Sequence, residues 1–176
     1  MKFGTKVIHA GIDPDPATGA VMTPIYQTST YVQESPGNHK GYEYARTQNP
    51  TRTALQNNLA ALENGIAAIC FSSGMAAMDT VMKLLKPGDE IISTNDLYGG
   101  SYRLMTKVYE DFGIKSHFVG MQDVKKIEKK INKKTRLLCI ETPTNPMHCL
   151  NDRKKVCKLA KKHNILPCVN NTFPSL

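Results

Sequence analysis

The chain has 176 residues, 40% apolar and 22% charged, with 23 Lys or Arg against 15 Asp or Glu and a formal net charge of +8. This is enough chain for one domain with a substantial core and argues against disorder; the longest apolar runs, 67–71 and 137–140, fall far short of the ~20 residues of a membrane span. Met1-Lys2-Phe3-Gly4 is followed by no apolar h-region, so a secretory leader is not expected and the expected location is cytoplasmic.

Residues 1–48 are rich in Gly, Pro, Thr and Tyr and follow neither a helical nor a strand period, which predicts an extended arm. Asn49-Pro50-Thr51-Arg52 reads as a helix start, Asn49 capping and Pro50 at the first helical position, and Leu55, Leu59 and Leu62 carry the helix to Gly65. An apolar run at 66–71, a helix at 75–86, a Pro87-Gly88-Asp89 turn and an apolar run at 90–93 follow. Then come a helix at 101–112 stopped by Gly113, a strand at 115–119, a helix at 122–131, a strand at 136–140, a helix at 152–163 and a strand at 165–170. Short apolar runs alternating with amphipathic helices predict βαβ units: an α/β fold of three layers around a mainly parallel sheet. Ligands of such sheets sit beyond the carboxyl ends of the strands, which directs attention to loops 72–75, 95–100, 141–148 and 170–173.

Cysteines 70, 139, 149, 157 and 168 form no CxxC pair and predict reduced core or surface thiols. Histidines 9, 39, 117, 148 and 163 never fall at i, i+4, so no metal site is expected. The positive charge has one source, since residues 115–163 carry 14 Lys or Arg and 4 Asp or Glu. Lys154, Lys155, Lys158, Lys161 and Lys162 fall mostly off the Val156, Leu159, Ala160 stripe, and Lys125, Lys126, Lys129 and Lys130 bracket Val124, Ile127 and Ile131. Solvated helix faces explain this better than nucleic-acid binding, because no aromatic residues interleave to stack bases.

Three loops carry chemistry. Ser72-Ser73-Gly74-Met75, following an expected strand at 66–71 and opening a helix, can seat a phosphate on backbone N–H groups, although strand-to-helix turns also use Ser and Gly for steric reasons. Tyr98, beside Gly99 and Gly100, can stack on a planar heterocycle and exchange a proton, or can be an ordinary turn tyrosine. Glu141-Thr142-Pro143-Thr144-Asn145-Pro146 is shaped by two prolines, so that Asn145 could bond a ligand with little reorganisation; a rigid connector is the bland alternative.

Taken in order, these loops, the segment Val169-Asn170-Asn171-Thr172-Phe173, and the arm segments 18–26 and Tyr42-Glu43-Tyr44-Ala45-Arg46-Thr47-Gln48-Asn49-Pro50-Thr51-Arg52 resemble the Cys/Met-metabolism family of pyridoxal-phosphate enzymes. That family includes cystathionine γ-synthase, cystathionine γ- and β-lyase and methionine γ-lyase, and the resemblance runs along the whole chain. It implies a partial fold type I pyridoxal-phosphate transferase: a 1–48 oligomerisation arm and, at 49–176, the first half of the cofactor-binding large domain, with the C-terminal domain absent. It also implies that Gly74 and Met75 bind the cofactor phosphate, that Tyr98 stacks on the ring and acts as acid or base, and that Asn145 and Thr172 flank the ring. Tyr44 and Arg46 would reach the phosphate of a neighbouring subunit, which implies a homo-oligomer, and Glu141 would act indirectly.

Two departures accompany the resemblance. Asn170 stands where the family has an Asp that keeps the ring nitrogen protonated, and the Schiff-base lysine has no counterpart, since no lysine follows Asn170. The stretches His148-Cys149-Leu150, Pro167-Cys168 and Pro174-Ser175-Leu176 depart as well. The expectation is a truncated trans-sulfuration enzyme, inactive by itself, acting in its full form on an amino-acid substrate. The alternatives are a non-catalytic partner that inserts its arm into an intact paralogue, and a gene remnant.

Overall fold

The structure is a computed structural model that describes residues 1–174; Ser175 and Leu176, from the departing tail noted above, lie outside the described residues. The chain divides into two units, Met1–Cys70 and the residues from Phe71 onward.

The first unit is built on α2, Pro50–Glu63, which starts as its sequence dictates. Asn49 is extended, its side chain accepts the Thr51 N–H at 2.9 Å, and Pro50 occupies the first turn, where no backbone N–H is needed. Asn64, in the left-handed region at φ 52°, ends the helix. The arm is not wholly extended, because Phe3–His9 forms α1. Composition hid this helix, and a tertiary contact supports it: Asn58 on α2 donates to the carbonyl of Ala10, just past the helix end, and to that of Lys6, which also accepts the Ala10 N–H. Gly11, at φ +71°, follows α1 where any Cβ would run into the Asn57 carbonyl oxygen. Further on, Tyr26 is tied to the start of α2 by its N–H to Thr51 Oγ1 and its carbonyl to Asn49 Nδ2, while its hydroxyl donates to Asp15. Tyr44 pairs with Thr30 in a single antiparallel bridge.

The run 66–71 corrects an expectation. It is apolar enough for a strand, yet it forms none, and Ile66, Ile69 and Phe71 are exposed. A strand exists by pairing its backbone groups, and among the described residues no strand pairs with this segment.

The second unit is a parallel sheet of β1 (Glu90–Thr94), β2 (Lys115–Val119), β3 (Thr135–Glu141) and β4 (Leu166–Asn170), in the order β2-β1-β3-β4. Helices α3 (Gly74–Met82), α4 (Gly99–Arg103), α5 (Val124–Glu128) and α6 (Arg153–Lys162) complete it, α4 running on through a wider π-helical stretch, Leu104–Tyr109. The helices are shorter than the periodicity suggests, and three start on side-chain caps: Ser73 accepts from Ala76 N, Asp123 from Lys125 N and Asp152 from Lys155 N. Gly113, at φ +76°, closes the turn before β2.

Alternation along the strands makes the three layers. Ile91, Leu137 and Cys139 face Met78, Met82, Met105 and Tyr109, while Ile92, Leu138 and Ile140 face Ile127, Val156, Leu159 and Ala160. Each fully buried side chain of this kind contributes roughly 1.5–3 kcal/mol. Among the described residues no helix is long and apolar enough to cross a membrane. The sheet brings the carboxyl ends of β3 and β4 together, with Glu141 directly opposite Asn170.

Candidate functional site

At that end of the sheet lies a cavity of about 670 Å³ lined by Ser73, Gly74, Met75, Tyr98, Glu141, Asn145, Cys168, Asn170, Thr172 and Phe173, among others. Each of the four loops singled out in the sequence contributes to this wall. Gly74, Met75, Tyr98, Asn145, Asn170 and Thr172 are therefore brought together. Tyr44 and Arg46 belong to the first unit, where the Arg46 guanidinium stands 4.7 Å from the centre of the Tyr44 ring.

The N-terminus of α3 opens the cavity on one side. The first N–H groups of a helix have no intrahelical acceptor, and the helix dipole adds partial positive charge there. Ser73 accepts from Ala76 N, and Gly74 and Met75, which begin the helix, also line the cavity. A Cβ at Gly74 would meet only Thr172 Oγ1, at an ordinary contact distance of 3.8 Å. Tyr98 also lines the cavity and is 46% exposed. A Cβ at Gly100 would run into the Tyr98 ring and come within 3.1 Å of Met75 Sδ, so glycine at this position is what lets the ring lie flat against α4.

Glu141 joins the walls. Its carboxylate accepts the N–H groups of Tyr98 and Asn145, each at 3.1 Å, and the carboxamide of Asn170 at 3.2 Å. With only 6% of its surface exposed, its carboxyl is pushed above the ordinary range by burial, against the lowering effect of the Tyr98 and Asn145 N–H groups, with the nearby Asp96 adding a smaller push upward. Around it, Glu141 N donates to Thr94 Oγ1 and Asn151 Nδ2 donates to the Glu141 carbonyl. Asp96 locks the loop after β1 to the loop after β3 by accepting from the Thr144 hydroxyl and from Met147 N.

Asn170 has both ends engaged. Its Nδ2 serves Glu141, and its Oδ1 accepts from Thr172 N at 3.1 Å and Thr172 Oγ1 at 2.7 Å. Beyond it, Phe173 lies against the His148 ring, centroids 4.8 Å apart.

The cavity fits pyridoxal phosphate in three respects: a helix start that can seat an anion, an aromatic ring in its lining, and room for a substituted pyridine. In one respect it differs, because Asn170, the residue expected to meet the ring nitrogen, is neutral. Sequence reasoning gave Glu141 an indirect role and passed over Cys168 and Phe173. A usable signal for Glu141 existed: an acid closing the run Leu137-Leu138-Cys139-Ile140 must find several donors to be buried there.

The sequence profile of the Cys/Met metabolism PLP-dependent enzyme family matches residues 4–175. The chain is 50% identical over 173 residues to a cystathionine gamma-lyase of Bacillus subtilis, covering 98% of this chain and 46% of that protein. It is 49% identical over 170 residues to a cystathionine beta-lyase of Coxiella burnetii, covering 96% and 44% respectively. Its structure is similar to that of cystathionine gamma-lyase from Lactobacillus plantarum complexed with L-serine, with a TM-score of 0.94 and 44% identity over 99% of this chain and 46% of the other. The chain spans about half the length of the curated relatives it matches.

Proposed function

The chain belongs to the Cys/Met metabolism PLP-dependent enzyme family, and on that premise we propose that these residues form one side of a pyridoxal-phosphate site. The enzyme type is one that eliminates or replaces a group at the β or γ carbon of a sulfur amino acid in the cytoplasm. The observation that supports this best is the convergence of four loops on one cavity, with the α3 N-terminus and Tyr98 on its walls and Asn170 at the end of β4.

In this reading the Gly74 and Met75 N–H groups bind the phosphate, the Tyr98 ring covers one face of the pyridine, and the Tyr98 hydroxyl holds a proton for transfer. Asn145 and Thr172 orient the ring edge, and Glu141 keeps all three loops in place. Bound pyridoxal phosphate supplies an electron sink for bonds at the α and β carbons of an amino acid. Tyr44 and Arg46 serve the phosphate of a neighbouring subunit in a homo-oligomer, Arg46 because its planar fork can grip two oxygens at once. The lysine that carries the cofactor comes from outside these 176 residues.

Asn170 favours a second reading, a non-catalytic subunit that lends its arm to an intact relative, because a neutral carboxamide satisfied by Glu141 and Thr172 offers the ring nitrogen no charge. One experiment separates the two. The chain is titrated with pyridoxal phosphate alone, and again mixed with the portion of the Bacillus subtilis relative that it does not cover, each followed by borohydride reduction and peptide mapping. The first reading expects cofactor binding and a single trapped lysine on the added portion. Stoichiometric trapping of a lysine in this chain, or no affinity in the mixture, would overturn it; affinity only when the full-length relative is supplied would favour the second.

A further inference from the structure

We propose that Cys139 and Cys168 are a redox pair: a cross-strand dithiol in the wall of the cavity that a low-molecular-weight disulfide converts to an intramolecular disulfide. The proposal stands on the geometry of β3 and β4 and does not depend on the cofactor reading.

Cys139 is paired directly with Cys168 in the register of the two parallel strands. In-register residues of a parallel pair project from the same face, and neighbouring strands lie about 4.8 Å apart. That separation falls inside the Cα window of about 4.4–6.8 Å within which two cysteines can be bridged. Both side chains pack into the same layer, with the cluster that holds Met78, Met82 and Leu137. Closure asks the side chains to draw together slightly, and β4 is the element best able to give, since among the described residues no strand pairs with its far side.

The pair is asymmetric in the way that exchange chemistry requires. Cys168 lines the cavity, whereas Cys139 is 3% exposed and packed in the core behind it. The neighbouring Cys139 side chain holds the Cys168 thiol below its ordinary range, and the same pairing, with burial, pushes Cys139 up. Cys168 is thus both the reachable sulfur and the better source of thiolate, the attacking species. Its thiolate attacks one sulfur of a disulfide such as oxidised glutathione, expels one thiolate and forms a mixed disulfide. Cys139 then gives up its proton and attacks the Cys168 sulfur, and the second glutathione leaves as thiolate. In total two protein thiols are oxidised, one glutathione disulfide is reduced to two thiols, and no other oxidant is consumed. Cys149, in the loop after β3, and Cys157, on α6, have no registered cysteine opposite them.

The test is to incubate the folded chain with oxidised glutathione, block remaining thiols with a maleimide in denaturant, and map the products by mass. The expected result is that two of the five thiols become unreactive and that one cross-linked peptide pair joins Cys139 to Cys168, reversed by dithiothreitol. Cys139→Ser should stop the sequence at a stable glutathione adduct on Cys168, and Cys168→Ser should leave Cys139 unmodified, while Cys157→Ser behaves as the parent. Phenylarsine oxide, a reagent for close dithiols, gives an independent reading without oxidation: the parent and Cys157→Ser should bind it stoichiometrically, and neither Cys139→Ser nor Cys168→Ser should. Five reactive thiols after oxidation, a cross-link to a different cysteine, or a Cys139–Cys168 link that forms as readily in denaturant would overturn the proposal.

Discussion

Asn170 Nδ2 donates to Glu141 Oε2 at 3.2 Å, between two residues that face each other across the ends of β3 and β4. The contact makes the Asn170 wall of the cavity part of the Glu141 network, so the loops carrying Tyr98, Asn145 and Asn170 share one carboxylate. Changing either partner alters the whole wall.

Glu141→Gln tests that network. The amide keeps one acceptor oxygen for three donors and turns its own NH₂ toward at least one of them, an arrangement that leaves buried N–H groups unmet. A loss of about 1–3 kcal/mol is expected, measured by denaturant unfolding. The pH dependence carries a second signature. Because burial raises the Glu141 carboxyl in the folded state, its stabilising share is complete below the unfolded carboxyl pKa and declines as pH rises through the folded value. The Gln variant should lack that decline just above the ordinary carboxylate range.

How far the sequence disclosed this site depends on what kind of interaction builds each part. The four loops were legible because strand and helix alternation fixes which ends of a parallel sheet converge, and the Asn49-Pro50 start was legible because a cap is a local bond. Strand 115–119 was found to the residue, since it lies between two glycines, Gly113 and Gly120, that bound it locally. Helix α1 was not legible, because Asn58, 48 residues from Ala10 in sequence, supplies part of its support. The run 66–71 misled for the complementary reason: its composition suits a strand, but strand formation is decided by a partner elsewhere. The Cys139–Cys168 pairing likewise needs the register of two strands, which no spacing within one strand gives.

Tyr109→Phe should separate a core hydrogen bond from core packing. The Tyr109 hydroxyl donates to Asp79 Oδ1 at 2.8 Å and lies 3.0 Å from the Asp79 carbonyl, while the ring stays in the core. Removing the hydroxyl should cost about 1 kcal/mol. Burial first, then the bond to Asp79, pushes the Tyr109 phenol up to about 12 from an ordinary 10. The advantage over the Phe variant should therefore be complete below pH 10 and disappear as pH rises through about 12. A spectrophotometric titration in which the latest-ionising tyrosine persists in Tyr109→Phe would contradict the assignment.

Gly100→Ala addresses the Tyr98 wall without touching Tyr98. Alanine favours the helix by up to ~1 kcal/mol, but its methyl occupies the place of the Tyr98 ring. Since the ring is the free end of a side chain, it can move aside. Unfolding stability should change by less than about 1 kcal/mol, whereas affinity for pyridoxal phosphate should fall at least tenfold by fluorescence titration. Unchanged affinity would mean that the Tyr98 ring does not contact the cofactor.

Asn170→Asp weighs one restored charge against the rest of the site. In the free chain the new carboxylate sits against Glu141, and two like charges at this separation cannot both ionise cheaply. A loss of about 1–3 kcal/mol at neutral pH is expected, relieved as pH falls and one of the pair takes a proton. Bound cofactor should reverse the sign, because a protonated ring nitrogen pairs with the Asp, so the thermal shift produced by pyridoxal phosphate should be larger for the Asp variant than for the parent. Charge at this one position supplies neither a carrying lysine nor substrate contacts, so the 176-residue Asp variant should still release no product from cystathionine, methionine or O-acetylhomoserine. Joined to the remaining portion of the Bacillus subtilis relative, the same substitution should raise turnover at least tenfold over the Asn form. Turnover by the Asp variant alone, above that of free pyridoxal phosphate, would show that these residues hold a complete catalytic site and that Asn170 was its only defect.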